Sequence, residues 1–372
     1  MSVGHQHFMQ QALALAEQGR FTTSPNPSVG CVIVQDGQIV GSGYHARAGQ
    51  PHAEIHALNA AGSRACGADV YVTLEPCAHQ GRTPACADAL IRAGVGRVIT
   101  AVTDPNPKVA GQGHARLQNA GIEVITDVLA EQAEALNRGF FKRQREQRPW
   151  VTLKLAQSLD GKGALSDGRS QWITGEQARL DVHRLRAEHC AVLTGVDTVL
   201  IDHARLNVRL TAEQLGINEP VRQPVRVVLD SGLRLTPFAP MFFVDAPVWV
   251  YTRDAESGIH QDGLTKRGAE LITTPGNPNR PGLDLDAILA DLADREVNRV
   301  MVEAGAKLAG SFLAQDLVDE LVVYQAPMLL GNAARPACAL SEVAALDDAR
   351  RWQLSAVDAF DQDVRLTLRR AH

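Results

Sequence analysis

The sequence predicts an α/β protein of two domains, and three observations carry that prediction. Its 372 residues are about twice the length of a common domain. Strand-sized apolar runs alternate with amphipathic helical segments, the pattern of a largely parallel sheet covered by helices. The composition is 45% hydrophobic and 21% charged, with 31 Gly and 18 Pro. Such a chain can bury a core and is neither disordered nor collagen-like.

Taken in order, residues 6–18 place Met9, Leu13 and Ala16 on one helical face and stop at Gly19, a residue suited to a helix C-terminus. Strands follow at 31–34, 39–43, 70–74, 98–102 and 122–125, with helices at 51–61, 86–93 and 114–119 between them. Asp36-Gly37 marks a hairpin joining the first two strands. The stretch 142–149, KRQREQRP, has no hydrophobic period and ends in proline, so it reads as a linker. The domain boundary falls near 147, giving domains 1–147 and 148–372. Beyond it, strands are expected at 151–155, 191–194, 225–229, 248–251, 300–302 and 320–324. Thr174 with Gln177 forms a capping-box pattern ahead of the stripe Ala178, Val182 and Leu185. Leu285, Ile288, Leu289 and Leu292 form a second stripe.

Charge and cysteine usage narrow the function. The net charge is −5, and residues 1–147 carry 12 basic and 12 acidic side chains. Neither half resembles a sheath for a polyanion, and no aromatic residues interleave with the basic run at 142–149. A nucleic-acid partner is therefore not expected. No apolar run approaches the ~20 residues of a membrane span, and the start MSVGHQHFMQ lacks a basic segment followed by an apolar one. A cytoplasmic protein is expected. Six cysteines are too sparse for a secreted disulfide framework. Cys31, Cys66, Cys190 and Cys338 have no partner pattern and read as small buried residues.

The remaining two cysteines belong to a sharper pattern. Pro51-His52-Ala53-Glu54 is followed by Glu75-Pro76-Cys77 and then by Cys86. One imidazole and two thiolates make a three-ligand zinc set with an open fourth position, which implies catalysis. His52 and Cys86 each open a helix, where partial positive charge favours thiolate and suits a metal site. Glu54 is placed to take a proton from water and return it to a leaving group, the chemistry of hydrolytic deamination. A closed structural zinc site would need a fourth ligand, for which His79 is the nearby spare. His56 reads as packing and Glu75 as structural.

The HAE...PC...C pattern is the signature of zinc-dependent nucleotide deaminases. Here eight residues, AHQGRTPA, separate Cys77 from Cys86 where two are usual. Read whole, TLEPCAHQGRTPAC closely resembles the bifunctional riboflavin-biosynthesis deaminase/reductase family. TTSPNPSVGCVIV, GYHARAGQPHAE and DPNPKVAGQG extend the resemblance. It implies a cytidine-deaminase-like three-layer domain, one zinc held by His52, Cys77 and Cys86, and Glu54 as proton shuttle. It also implies a pocket for substrate built from Asn26, His45, His79 and Arg82.

In the second half, the strand at 300–302 runs through Glu303, Ala304 and Gly305 into a helix, a geometry that can offer backbone N–H groups to phosphate. An apolar strand followed by a glycine cap is the plainer account of the same residues. The series KL at 154–155, SLDG at 158–161, SQWIT at 170–174, LRA at 185–187 and DTVLID at 197–202 resembles the reductase domain of the same family, of dihydrofolate-reductase-like fold. The resemblance assigns NADPH to Ala156, Trp172, Thr198, Asp202 and Ser231. It adds the turn from Gly305 through Ala306, Lys307, Leu308, Ala309, Gly310 and Ser311. The ribose phosphate of the substrate falls to Ser170, Arg186, Leu206, Arg209 and Glu303. Arg186 and Arg209 are fixed-charge forks suited to phosphate, and Trp172 offers a flat wall. Lys154, at a strand end, is placed to polarise the sugar oxygen.

The function implied is deamination of a diaminopyrimidinone carrying a ribosylamino phosphate, then NADPH-dependent reduction of its ribosyl group to ribityl. The resemblance also implies a homo-oligomer and a small phosphorylated substrate. Deamination of a base in tRNA or DNA is a competing reading, opposed by the charge balance and the long cysteine spacing. A non-catalytic, zinc-stabilised binding module is a third.

Overall fold

The computed structural model describes residues 3–78, 85–107, 109–255, 260–276 and 282–370. Contacts divide the chain into two units, Met1–Gln147 with Ala212–Val221, and Arg148–Thr211 with Arg222–His372.

In the first unit the order is α1 (Val3–Glu17), β1 (Gly30–Gln35), β2 (Gln38–Tyr44), α2 (Ala53–Ala61), β3 (Asp69–Val72), α3 (Cys86–Ala93), β4 (Arg97–Thr100), α4 (Gln112–Asn119), β5 (Glu123–Ile125), α5 (Ala130–Leu136) and α6 (Arg138–Glu146). The sheet runs β2-β1-β3-β4-β5. It is mixed, not largely parallel: β1 is antiparallel to both β2 and β3, and only β3-β4 and β4-β5 are parallel. The β1-β2 turn uses Asp36 and Gly37, both at positive φ, the backbone a two-residue hairpin needs.

Strand alternation splits the core into two layers. Cys31, Ile33, Val70 and Val98 pack with Ala53 and Ala57 of α2, Leu90 of α3 and Leu117 of α4. Val32, Val34, Tyr71 and Ile99 point the other way, onto Met9 and Leu13 of α1, Ala133 of α5 and Phe141 of α6. Helices thus cover both faces. The expected linker is not one, because residues up to Glu146 form α6. Phe141 is its buried anchor, and the Arg145 guanidinium stacks 4.8 Å from that ring.

The second unit contains β6 (Trp150–Ser158), β7 (Lys162–Ala164), α7 (Glu176–Glu188), β8 (Ala191–Gly195) and α8 (Val196–Asp202). The short α9 (Ala212–Leu215) groups with the first unit. Then come β9 (Val225–Leu229), β10 (Val248–Thr252), α10 (Gln261–Lys266), β11 (Ala269–Thr273), α11 (Leu285–Asp294), β12 (Arg299–Val302), α12 (Ala306–Ala314), β13 (Glu320–Ala326), β14 (Arg335–Pro336), β15 (Trp352–Phe360) and β16 (Asp363–Arg370). The main sheet runs β11-β10-β9-β8-β12-β6-β13-β16-β15. All pairings from β11 to β13 are parallel, and β16 and β15 finish it as an antiparallel hairpin.

Both faces are again covered. Val300 and Val302 of β12 lie with α11 and α12, while Met301 lies with Ala178, Val182 and Leu185 of α7. The capping box expected at Thr174 does not form. The N-cap is Gly175, whose N–H donates to the Asp363 carboxylate over 2.6 Å. Among the expected buried cysteines, Cys31 and Cys190 are buried, Cys338 is half-buried and Cys66 is exposed.

Candidate active sites

Pro51 ahead of α2 leaves His52 as its N-cap residue in extended backbone, and Cys86 is the first residue of α3. His52 Nδ1 lies 3.3 Å from Cys86 Sγ and 3.7 Å from Cys77 Sγ. All three ligand atoms lie within 4.8 Å of one another. A tetrahedral zinc with bonds of about 2.1 Å to nitrogen and 2.3 Å to sulfur separates its donors by roughly 3.5–3.8 Å, so the donor set and its spacing fit this ion. The Cys86 amide donates to Cys77 Sγ. The hydrogen bond from the Cys86 thiol, helped by His52 and that amide, pulls the Cys77 thiol well below its ordinary range. A thiolate is what a metal requires.

Glu54, in the first turn of α2, is buried beside the Cys86 thiol, and burial raises its carboxyl above the ordinary range. The depth of α2 depends on glycine in β2. A Cβ at Gly43 would stand 2.4 Å from His56 Cβ and 2.8 Å from the Ala53 carbonyl oxygen. Asn26 and His45 come to the same place: Asn26 Nδ2 donates to His45 Nε2 over 3.0 Å, and His45 Nδ1 donates to the Pro51 carbonyl over 3.1 Å. The His45 and His52 rings meet edge to face, 5.3 Å apart. Burial lowers the His45 pKa, keeping the imidazole neutral and able to accept from Asn26. His79 and Arg82 lie outside the described residues. Glu75 accepts from the backbone N–H groups of Asp104, Gly111, Gly113 and His114, and so holds the segment after β4 against the cysteine loop.

The second cluster is a chain of charges in the second unit. Glu303, just after β12, takes Arg186 Nε over 3.0 Å and Nη2 over 2.8 Å, with Lys154 Nζ 3.7 Å away. Arg186 Nη1 and His183 Nδ1 both donate to the Asn207 carbonyl. His183 Nε2 then accepts from Arg209 Nε over 2.9 Å. Burial works against the Glu303 charge, but Arg186 and Lys154 outweigh it and hold the carboxyl at about 2. Burial, then Arg186 and Arg209, lowers His183 to about 4, so its Nε2 is an acceptor at neutral pH.

Two sequence expectations change here. The Arg186 fork is closed bidentately on Glu303 and is not open to a phosphate. Lys154 sits inside β6, paired with Val322 of β13, not at a strand end. Arg209 keeps the more open guanidinium, in a field that also contains Arg179 and Arg205. Sequence reading missed His183, although its placement three residues before Arg186 on α7 was a signal that the two share a face.

The residues assigned to the cofactor divide. Gly305 is the N-cap of α12 and offers no side chain to cap the first amides of that helix. Leu308, Ser311 and Ser231 line a cleft of about 210 Å³. Ala306 and Lys307 open α12 beside Gly305, whereas Ala309 is fully buried in the core. A Cβ at Gly310 would stand 1.8 Å from the Ala339 carbonyl oxygen, so this glycine serves close packing. Thr198 lies on α8 and Asp202 at its end; burial raises the Asp202 carboxyl, and Glu303 adds to this. Trp172 is largely exposed, with Arg179 stacked 4.6 Å from its ring. Ala156 is half-buried on β6 opposite Tyr324, and Ser170 is half-buried ahead of α7. Leu206 is buried at positive φ, so it can offer a ligand only backbone.

Residues 2–102 match the cytidine and deoxycytidylate deaminase zinc-binding region, and residues 149–366 match the RibD C-terminal domain. The second match covers more than half of the chain. The chain belongs to the RibD family. The riboflavin biosynthesis protein RibD of Escherichia coli K12 is 47% identical over 369 residues, 98% of each chain. RibD of Haemophilus influenzae is 48% identical over 365 residues, 97% of this chain and 96% of that one. Acinetobacter baumannii RibD superposes with a TM-score of 0.91 at 42% identity, covering 99% of both chains. A Thermotoga maritima structure described as a diaminohydroxyphosphoribosylaminopyrimidine deaminase and 5-amino-6-(5-phosphoribosylamino)uracil reductase gives 0.86 at 33%, again over 99% of both. The first unit is thus the cytidine-deaminase-like layer fold of RibD and the second its reductase fold. As a RibD protein the chain is a bifunctional deaminase and reductase of riboflavin biosynthesis, with zinc and NADPH as cofactors.

Proposed function

We propose that residues 1–147 perform the deamination, with His52, Cys77 and Cys86 holding one zinc and Glu54 moving the proton. Residues 148–372 then carry out the reduction. The substrate is a diaminopyrimidinone bearing a ribosylamino phosphate, in line with the activity named for the Thermotoga maritima relative. The observation that carries the reading is the convergence of the imidazole, the two sulfurs and the buried Glu54 carboxyl. Zinc, when bound, supplies a Lewis acid that makes water a competent nucleophile at neutral pH. Glu54 accepts the proton that water loses on attacking the ring carbon and gives it to the departing amine; water enters, ammonia leaves, and the exocyclic C–N bond becomes a carbonyl. A carboxyl raised by burial suits both halves of that transfer. Asn26 and neutral His45 line the pocket beside it.

In the second step NADPH supplies the hydride. Lys154 polarises the sugar oxygen and Glu303 keeps its ammonium in place, while Arg186 stiffens Glu303. Arg209, oriented by His183, receives the phosphate with Ser170 and the Leu206 backbone. The residues that would hold the cofactor are Ala156, Trp172, Thr198, Asp202, Ser231 and those of the helix that Gly305 opens. The protein works in the cytoplasm as a homo-oligomer. β15 supports association: it is the edge of the large sheet and exposes Leu354 and Val357. No helix among the described residues is long and apolar enough to cross a membrane.

Glu54→Gln tests the first step. Ammonia release is expected to fall about 10²–10⁴-fold while bound zinc stays at the wild-type level. Turnover unchanged in that variant would remove Glu54 from proton transfer.

A further inference from the structure

The cleft of about 210 Å³ runs beside α12, where Leu308, Ser311 and Gln315 share the face that lines it. Its other wall is made by Ser231 and Arg234 after β9 and by Asp197 at the start of α8. The lining thus reaches from Leu308, in the first turn of α12, to Gln315 just past its end. From Gly305 to Ser311 the helix rises about 9 Å, the scale of the step from a dinucleotide's pyrophosphate to its adenosine ribose. Pyrophosphate held at the helix N-terminus would place the adenosine in this cleft.

Arg234 is the only cationic side chain among the described residues that line it. Its Nη2 rests on Asp197 Oδ1 at 2.7 Å, and both side chains are more than half exposed. A pair so open to solvent is screened and holds loosely, so Arg234 can exchange the carboxylate for a phosphate dianion, which it grips through two parallel N–H···O bonds. Asp197 would then turn to solvent. A carboxylate alone at this place would favour a free ribose 2′-hydroxyl, as in dinucleotide sites that take NADH.

We propose that Arg234 reads the 2′-phosphate of the cofactor and makes the reductase prefer NADPH to NADH, with Asp197 as its resting partner. This rests on NADPH lying along α12, and the test separates the two. Calorimetric titration of the full-length protein with adenosine 2′,5′-bisphosphate and with AMP reads binding without catalysis. The wild type is expected to bind the bisphosphate at least about tenfold more tightly, a charge-assisted bidentate contact. Arg234→Ala should remove most of that preference and leave AMP binding unchanged, while Arg234→Lys, a point charge without the fork, should keep part of it. In turnover, Arg234→Ala should raise the KM for NADPH and not that for NADH. A bisphosphate preference intact in Arg234→Ala, or an equal loss for both nucleotides, would overturn the assignment. Failure of the wild type to bind either nucleotide would take the adenosine out of this cleft, and the proposal with it.

Discussion

Glu303 is a carboxylate with little access to water, yet it is held ionised because two cations meet it. Its pKa lies near 2 in the folded chain against an ordinary 4.5. A folded-state value below the unfolded one means that the ion pair stabilises the protein fully above the unfolded value. The contribution drains away as pH falls from about 4.5 toward 2. Urea denaturation across that window should show stability falling in the wild type and a flatter profile in Glu303→Gln. At neutral pH the same variant strands Arg186 and Lys154 and should lose about 3 kcal/mol; equal stability at both ends of the window in the wild type would contradict the pairing. The convergence of His52, Cys77 and Cys86 beside Glu54 was legible in the sequence because each sits in a short pattern with chemical meaning. The Arg186–Glu303 fork was not, since its halves are 117 residues apart and neither carries a local signal. Arg186 therefore looked free for phosphate until its partner was in view.

Among elements, α6 shows how a sequence window can hide a helix. The basic run taken alone has no hydrophobic period, but the helix starts at Arg138 and its anchor, Phe141, precedes that run. Phe141→Ala should cost about 3–5 kcal/mol, read as a lower denaturation midpoint of the first unit. A variant as stable as the wild type would return this stretch to linker status. The α7 cap was hidden for a different reason: Asp363 at the start of β16 supplies it across 188 residues. Asp363→Ala should lose about 1–2 kcal/mol with no change in the first unit's chemistry. The Asp36-Gly37 hairpin and the stripes of α7 and α11 were readable because their signals are local and periodic. The antiparallel start of the first sheet was not, because strand direction depends on tertiary partners.

At the scale of the molecule, two chemistries with different requirements share one chain. Each unit has its own core and its own charged cluster, so removing the metal should abolish ammonia release and leave NADPH oxidation on the deaminated pyrimidine intact. Loss of both activities together on chelation would argue against that division. The two-domain α/β reading rested on strand–helix alternation that both units display. Their assignment to particular reactions came from motifs, since similar layered sheets serve many functions. The most direct measurement of the central claim is zinc per chain, by elemental analysis, in the wild type and in Cys86→Ser. About one zinc per chain in the wild type, with metal and ammonia release lost together in the variant, is the predicted result. A variant that keeps its full complement of zinc would contradict the three-ligand site.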